Sequence, residues 1–126
     1  MRRLLGGLAV LVLAACGGGP GDLRVAQGTW GGQNIELQVE SGGATAQFKC
    51  GAVGLVNGPL VLDTSGHFMA SGTYEPKLVN GGPRPAAYSG SLSGRSLALN
   101  VEVEQTVIGP FALQQGQKGT FEPCNF

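Results

Sequence analysis

Charge, histidine and aromatic side chains are all scarce in this 126-residue chain. Charged residues make up 13% of it, and the cations after Arg2 and Arg3 (Arg24, Lys49, Lys77, Arg84, Arg95 and Lys118) stand singly. Without a basic stripe the chain lacks the electrostatic footprint of a nucleic-acid binder. One histidine, His67, and three cysteines leave no nitrogen and sulfur set for a tetrahedral metal, and there is no Asp-rich calcium loop. No metal or other cofactor is therefore expected. Neither a Gly-x-Ser-x-Gly elbow nor a glycine loop ending in Lys-Ser or Lys-Thr is present, so the common signatures of acyl and phosphoryl transfer are missing. Asp63 and His67 could join a serine in a triad, but nothing in the spacing fixes that geometry, and His67 is expected to be an exposed turn residue. Glu102 and Glu104, two apart, are expected on one solvated strand face. A non-enzymatic protein is the expectation.

Only the start of the chain is continuously apolar. Met1-Arg2-Arg3 is followed by Leu4 to Val12 and then by Leu13-Ala14-Ala15-Cys16. A basic n-region, a short apolar stretch and small residues before a cut site describe an export leader. The apolar run is well short of the roughly 20 residues of a membrane-spanning helix. The Leu-Ala-Ala-Cys stretch resembles the lipobox of bacterial lipoproteins. That resemblance implies a diacylglycerol thioether on Cys16, cleavage just before it, and attachment to a membrane through the N-terminal lipid, which a pair of acyl chains makes stable. It also implies a cell-envelope location. Gly17 stands where aspartate would signal retention in the inner membrane, which in a Gram-negative cell implies the outer membrane, facing the periplasm. The expected organisation is a signal peptide over 1–15, a lipidated cysteine with a glycine-rich tether over 16–24, and one folded domain over 25–126. Without the leader, six basic side chains face eight acidic ones.

With Cys16 lipidated, Cys50 and Cys124 remain as a pair in an oxidising compartment, where a disulfide is the default. The chain-entropy model assigns a bridge closing so long a loop about 4 kcal/mol. Cys50 continues the apolar phase of Ala46 and Phe48, which predicts a buried bridge.

Alternation dominates the folded region. Asn34–Glu40, Ala44–Cys50, His67–Glu75 and Ser96–Glu104 place apolar residues at every second position, the mark of strands with one buried and one wet face. Further strands are predicted at Val25–Trp30, Leu60–Asp63, Ala86–Ser93, Thr106–Gln114 (bent or bulged at Gly109-Pro110) and Lys118–Glu122. Glycine-bearing turns punctuate them. Outside the leader no segment has the spacing of an amphipathic helix. The pattern predicts an all-β fold, a small antiparallel up-and-down meander barrel of about eight strands, with a two-sheet sandwich as the alternative. An integral outer-membrane barrel ending at Phe126 is disfavoured, because aromatics at 6% are too few for its girdles.

Gly28-Thr29-Trp30 on the first strand, and Ser71-Gly72-Thr73-Tyr74-Glu75, resemble stretches of lipocalin-like and avidin-like barrels. The resemblance implies that Trp30 closes the barrel floor or lines a pocket, without implying a biotin site, which needs several tryptophans. A looser similarity, in compartment, size and strand count, is to barrel-forming lipoprotein inhibitors of proteases or lysozyme. Asn80–Pro85 is the longest polar, proline-bearing gap, so Asn80 and Arg84 join Trp30 as candidate binding residues. The expected function is to bind a small ligand or an envelope protein. The alternative is inhibition of an envelope or host hydrolase through that loop.

Overall fold

A computed structural model describes residues 23–77 and 81–124. Cys16 and Asn80 lie outside the described residues, as does Phe126. Among the described residues there are eight strands: β1 (Gly28–Gly32), β2 (Ile35–Glu40), β3 (Gly43–Phe48), β4 (Val53–Asn57), β5 (His67–Glu75), β6 (Arg84–Ser93), β7 (Ser96–Val103) and β8 (Thr106–Gln115). Each pairs antiparallel with the next, and β1 pairs with β8, so the meander closes into an up-and-down barrel. The sandwich alternative is thereby set aside. Closure leaves no free sheet edge.

Period two decides which face goes inside. On β2, Ile35, Leu37 and Val39 are buried while Gln38 and Glu40 are exposed. On β7, Leu97, Leu99, Val101 and Val103 point inward. The apolar faces thus pack against one another, the reverse of a barrel that shows its apolar face to lipid. Trp30, Tyr88, Ile35, Leu37, Leu97, Leu99, Val101 and Leu113 are the largest fully buried side chains. Burying each such apolar side chain stabilises by roughly 1.5–3 kcal/mol.

Three glycines make the middle of this interior possible. Gly54, Gly72 and Gly90 face inward on β4, β5 and β6. A Cβ at Gly54 would overlap the Tyr88 hydroxyl, and one at Gly90 would lie 2.7 Å from Cε2 of Phe68. The aromatic rings occupy the space where side chains are missing. Tyr88 also donates its buried hydroxyl to the Thr73 carbonyl at 2.6 Å, which satisfies the one polar atom it carries inward.

Both barrel ends are dressed by chain outside the strands. The lower end carries the β2–β3, β4–β5 and β6–β7 connections. There Val25 N–H donates to Leu60 O at 3.0 Å and Leu62 N–H to Leu23 O at 2.8 Å, and Val25, Leu60 and Leu62 are buried as a plug. At the upper end Phe48 packs edge-on against Tyr74 (ring centroids 5.2 Å apart) and tilted against Phe111 (5.7 Å).

Several boundaries differ from those the sequence predicts. Val53–Asn57 is a strand that alternation does not reveal, because Val53 and Leu55 point outward and the inward positions are Gly54 and Val56, so apolar residues lie on both faces. Leu60–Asp63 is part of the lower plug and contributes one bridge, Arg24↔Val61. Arg84 and Pro85 belong to β6, paired with Tyr74 and Thr73. Pro85 is tolerated because it lies just past Ala86↔Val103, where the β7 ladder ends. The predicted bulge is present: Gly109 and Pro110 oppose the single Asn100 between the pairs Leu99↔Phe111 and Val101↔Ile108.

Lys118–Glu122 is not a strand. After β8 the chain turns and runs back over the outside of β1, forming a strap. Thr120 bridges Gln33 in parallel, Thr120 N–H donates to Gly32 O at 3.0 Å, and Asn34 N–H donates to Thr120 O at 2.6 Å. A Cβ on Gly31 would overlap the Lys118 and Gly119 backbone, so only glycine admits the strap there.

Candidate functional site

Trp30 is 1% exposed, and its indole N–H donates to the Ala26 carbonyl at 2.8 Å. The ring seals the barrel above the lower plug and lines none of the surface clefts described below. Trp30 is a packed core residue.

Arg84 opens β6 and reaches Glu104 Oε1 at 3.4 Å. Glu104 sits in the β7–β8 turn with φ 51°, so it does not share a strand face with Glu102 as the sequence suggests. The connection between β5 and β6 therefore runs over 76–83, with Pro76 and Pro83 at its ends, and Arg84 and Pro85 lie outside it. Arg84 is committed to a neighbouring turn.

His67 begins β5 and is exposed. The hydrogen bonds of the Asp63 carboxylate go to backbone N–H groups. Asp63 Oδ1 accepts the backbone N–H of His67 at 3.0 Å and of Ser65 at 2.8 Å. These bonds, that from His67 foremost, hold the Asp63 carboxyl below its usual range. Asp63 is a turn-forming residue, using its carboxylate to replace a backbone acceptor.

Cys50 and Cys124 are bonded, with Cα atoms 5.6 Å apart and 74 positions between them in sequence. The expectation of a buried bridge is corrected. The sheet ends at Phe48, and Lys49–Gly51 form a short 3-10 turn in which Cys50 has φ 66°. That left-handed residue turns its side chain off the strand phase, and Cys50 is exposed. Beside it, Glu122 receives the Lys49 ammonium at 3.2 Å, Gln33 Nε2 at 2.8 Å and its own N–H donates to Asn34 Oδ1 at 2.9 Å. The Lys49 bond above all holds the Glu122 carboxyl below its usual range.

The most extended concavity runs outside the barrel along β6. One cleft of about 350 Å³ and another of about 470 Å³ share Met69, Ser89 and Asn100. The outward residues of β6 there are small (Ala87, Ser89, Ser91), so the strand is recessed between its neighbours. Met69, 83% exposed, and Val107, 58% exposed, form raised apolar walls. Glu102 lies at one end and His67 at the other. The floor offers hydroxyl and amide groups that both donate and accept, flanked by apolar side chains. Such a surface suits recognition of an extended polar segment. Sequence reasoning passes over it, because small outward residues on a strand look like ordinary solvated positions. No cluster of potential metal-ligating side chains occurs among the described residues. The chain matches no protein-family model, no curated protein and no solved structure.

Proposed function

We propose that this chain is an exported lipoprotein, anchored through lipid on Cys16, whose barrel is a non-enzymatic binding module for an envelope protein. The leader and lipobox support the anchor. The packed interior supports the choice of partner. With Trp30, Tyr88 and the leucines of β7 filling the barrel, and the lower end plugged, a small ligand has no enclosed site within the described core. Eight-stranded barrels either fill with side chains or hold one small ligand, and this interior is of the first kind. Binding then falls to the outer surface, where two adjoining clefts form the groove along β6. A partner would lay an extended segment over Ser89 and Asn100, between Met69 and Val107.

The test is a photoreactive amino acid at position 69 in cells that make the full-length chain. One discrete adduct is expected, and filling the groove with Ser89→Trp should remove it. If no discrete adduct forms, or if it survives a filled groove, the partner does not bind there.

A further inference from the structure

The barrel seam is its weakest join. β1 and β8 share two residue pairs, Trp30↔Gln115 and Gly31↔Gln114, where β6 and β7 share eight. The strap continues the pairing of β1 beyond those two. It supplies Gly32 O and Asn34 N–H with their partners at Thr120, and Gly119 N–H donates to Glu36 Oε1 at 2.9 Å. Gly31 faces outward yet is buried beneath it.

Besides the disulfide, the strap is retained by hydrogen bonds and one ion pair, with no buried side chain of its own. No residue from Gly116 to Cys124 is buried, and Phe121 is 42% exposed. Its ion pair, Lys49–Glu122, is exposed at 40% and 51%, and exposed pairs of this kind contribute little. Its hydrogen bonds, of which Gly119–Glu36 is part-buried, are each worth about 0.5–1.5 kcal/mol, set against the entropy of ordering the segment. Cys50, exposed, lines an open cleft of about 300 Å³ whose walls include Phe48, Val53 and Phe121. Cys50 thus borders solvent and the cleft without any movement of the barrel, and an apolar surface carrying a thiol has a seat beside it.

We propose that Cys50–Cys124 is an exchangeable latch on the seam, opened by a dithiol reductant that uses this cleft. The reductant's thiolate attacks Cys50 Sγ, and the Cys50–Cys124 bond breaks as a mixed disulfide forms at Cys50. Cys124 leaves as a thiolate and takes a proton. The reductant's second thiol, losing its proton, attacks its own sulfur in the mixed disulfide and releases Cys50, which is protonated. Two electrons pass to the protein, and the reductant ends as a disulfide. The strap then leaves β1, and Gly32 O and Asn34 N–H lose their partners. The closed barrel acquires a short open edge controlled by redox state.

Oxidised full-length protein treated with dithiothreitol, without denaturant, tests this. Alkylation is read peptide by peptide, so that Cys16 is scored separately. Cys50 and Cys124 should become alkylated at a rate that urea, below the unfolding transition, does not change. Amide exchange at Asn34 and across Gln117–Glu122 should rise by at least about tenfold, while Leu37, Leu99 and Val101 stay within about twofold. Cys124→Ser should show the same exchange pattern without reductant. If that variant does not fold, the reduced wild-type chain decides alone. The proposal is overturned if the bridge yields only as urea unfolds the barrel. It is also overturned if strap and core amides lose protection together, or if the reduced strap stays protected.

Discussion

The filled interior is tested most directly where Tyr88 meets Gly54. A Cβ at Gly54 would overlap the Tyr88 hydroxyl and stand 3.1 Å from Phe48 Cε2. Alanine gains about 0.4–1 kcal/mol over glycine from a less flexible unfolded chain. Overpacking of a well-filled core costs about 1–3 kcal/mol. Overlap therefore wins, and Gly54→Ala should destabilise by about 1–2 kcal/mol, or roughly 4–16 °C in Tm at about 4–8 °C per kcal/mol. Tyr88→Phe forfeits the 2.6 Å bond to Thr73 O, for about 0.5–1.5 kcal/mol. In the double variant the deleted hydroxyl makes room for the new methyl. Relief is partial, because the added Cβ would still stand 3.2 Å from the Cζ position of residue 88. The double variant should be more stable than the sum of the single changes by about 1 kcal/mol. Urea titration followed by fluorescence reads this cleanly, since Trp30 is the single tryptophan and is 1% exposed. Additivity within about 0.3–0.5 kcal/mol would refute the reasoning. So would a neutral Gly54→Ala, which would mean an interior open enough to hold a small ligand.

Three further outcomes follow from other parts of the chain. Cys16→Ala should stop metabolic labelling by fatty acid and release the chain from membranes; continued labelling of the variant would remove the lipoprotein proposal. The Asp63 carboxyl sits below its usual range, so its charged form is favoured by folding. Its contribution is fully present above the unfolded value near 3.8 and is lost as pH falls through the lower folded value. The amide resonances of Ser65 and His67 should therefore shift together only in that acid window, and Asp63→Ala should abolish the shift. Shortening the 76–83 connection to a two-residue Asn-Gly turn should leave the urea midpoint nearly unchanged, because loop entropy varies slowly with length. The position-69 adduct should survive it; loss of the adduct would return the binding role to that loop.

How much of this was legible in the sequence depended on where each glycine pointed. β2, β3 and β7 are read directly, because their inward positions carry isoleucine, leucine, valine, alanine or phenylalanine. β4 is not, because its inward Gly54 is silent in a hydrophobic pattern and outward Val53 and Leu55 cancel the signal of inward Val56. Gly72 and Gly90 fall inside predicted strands, but nothing in the pattern shows that they and Gly54 are the sockets for Tyr88 and Phe68, a pairing that exists only once strands are in register. Cys50 misleads in the opposite way. It keeps the apolar phase by count, but the chain has left the sheet two residues earlier, and a left-handed turn reverses the direction of its side chain. The groove along β6 is invisible for a related reason: recess is a property of three neighbouring strands, and no single stretch encodes it.

The two roles of the disulfide belong to different states of the chain. Its constraint on the unfolded ensemble, about 4 kcal/mol in the chain-entropy model, depends on the length of the closed loop and would be the same whether the bridge were buried or exposed. Its hold on the folded state depends on the opposite kind of fact, that no residue of Gly116–Cys124 is itself buried and the segment lies on the outside of β1 and the start of β2. Reduction should therefore lower global stability and yet, in native conditions, move only the strap. A buried bridge in phase with Phe48 would have linked the two effects, since no reductant could reach it without opening the barrel. The left-handed turn at Cys50 is what separates them, by taking the sulfur out of the core while leaving the loop it closes as long as before.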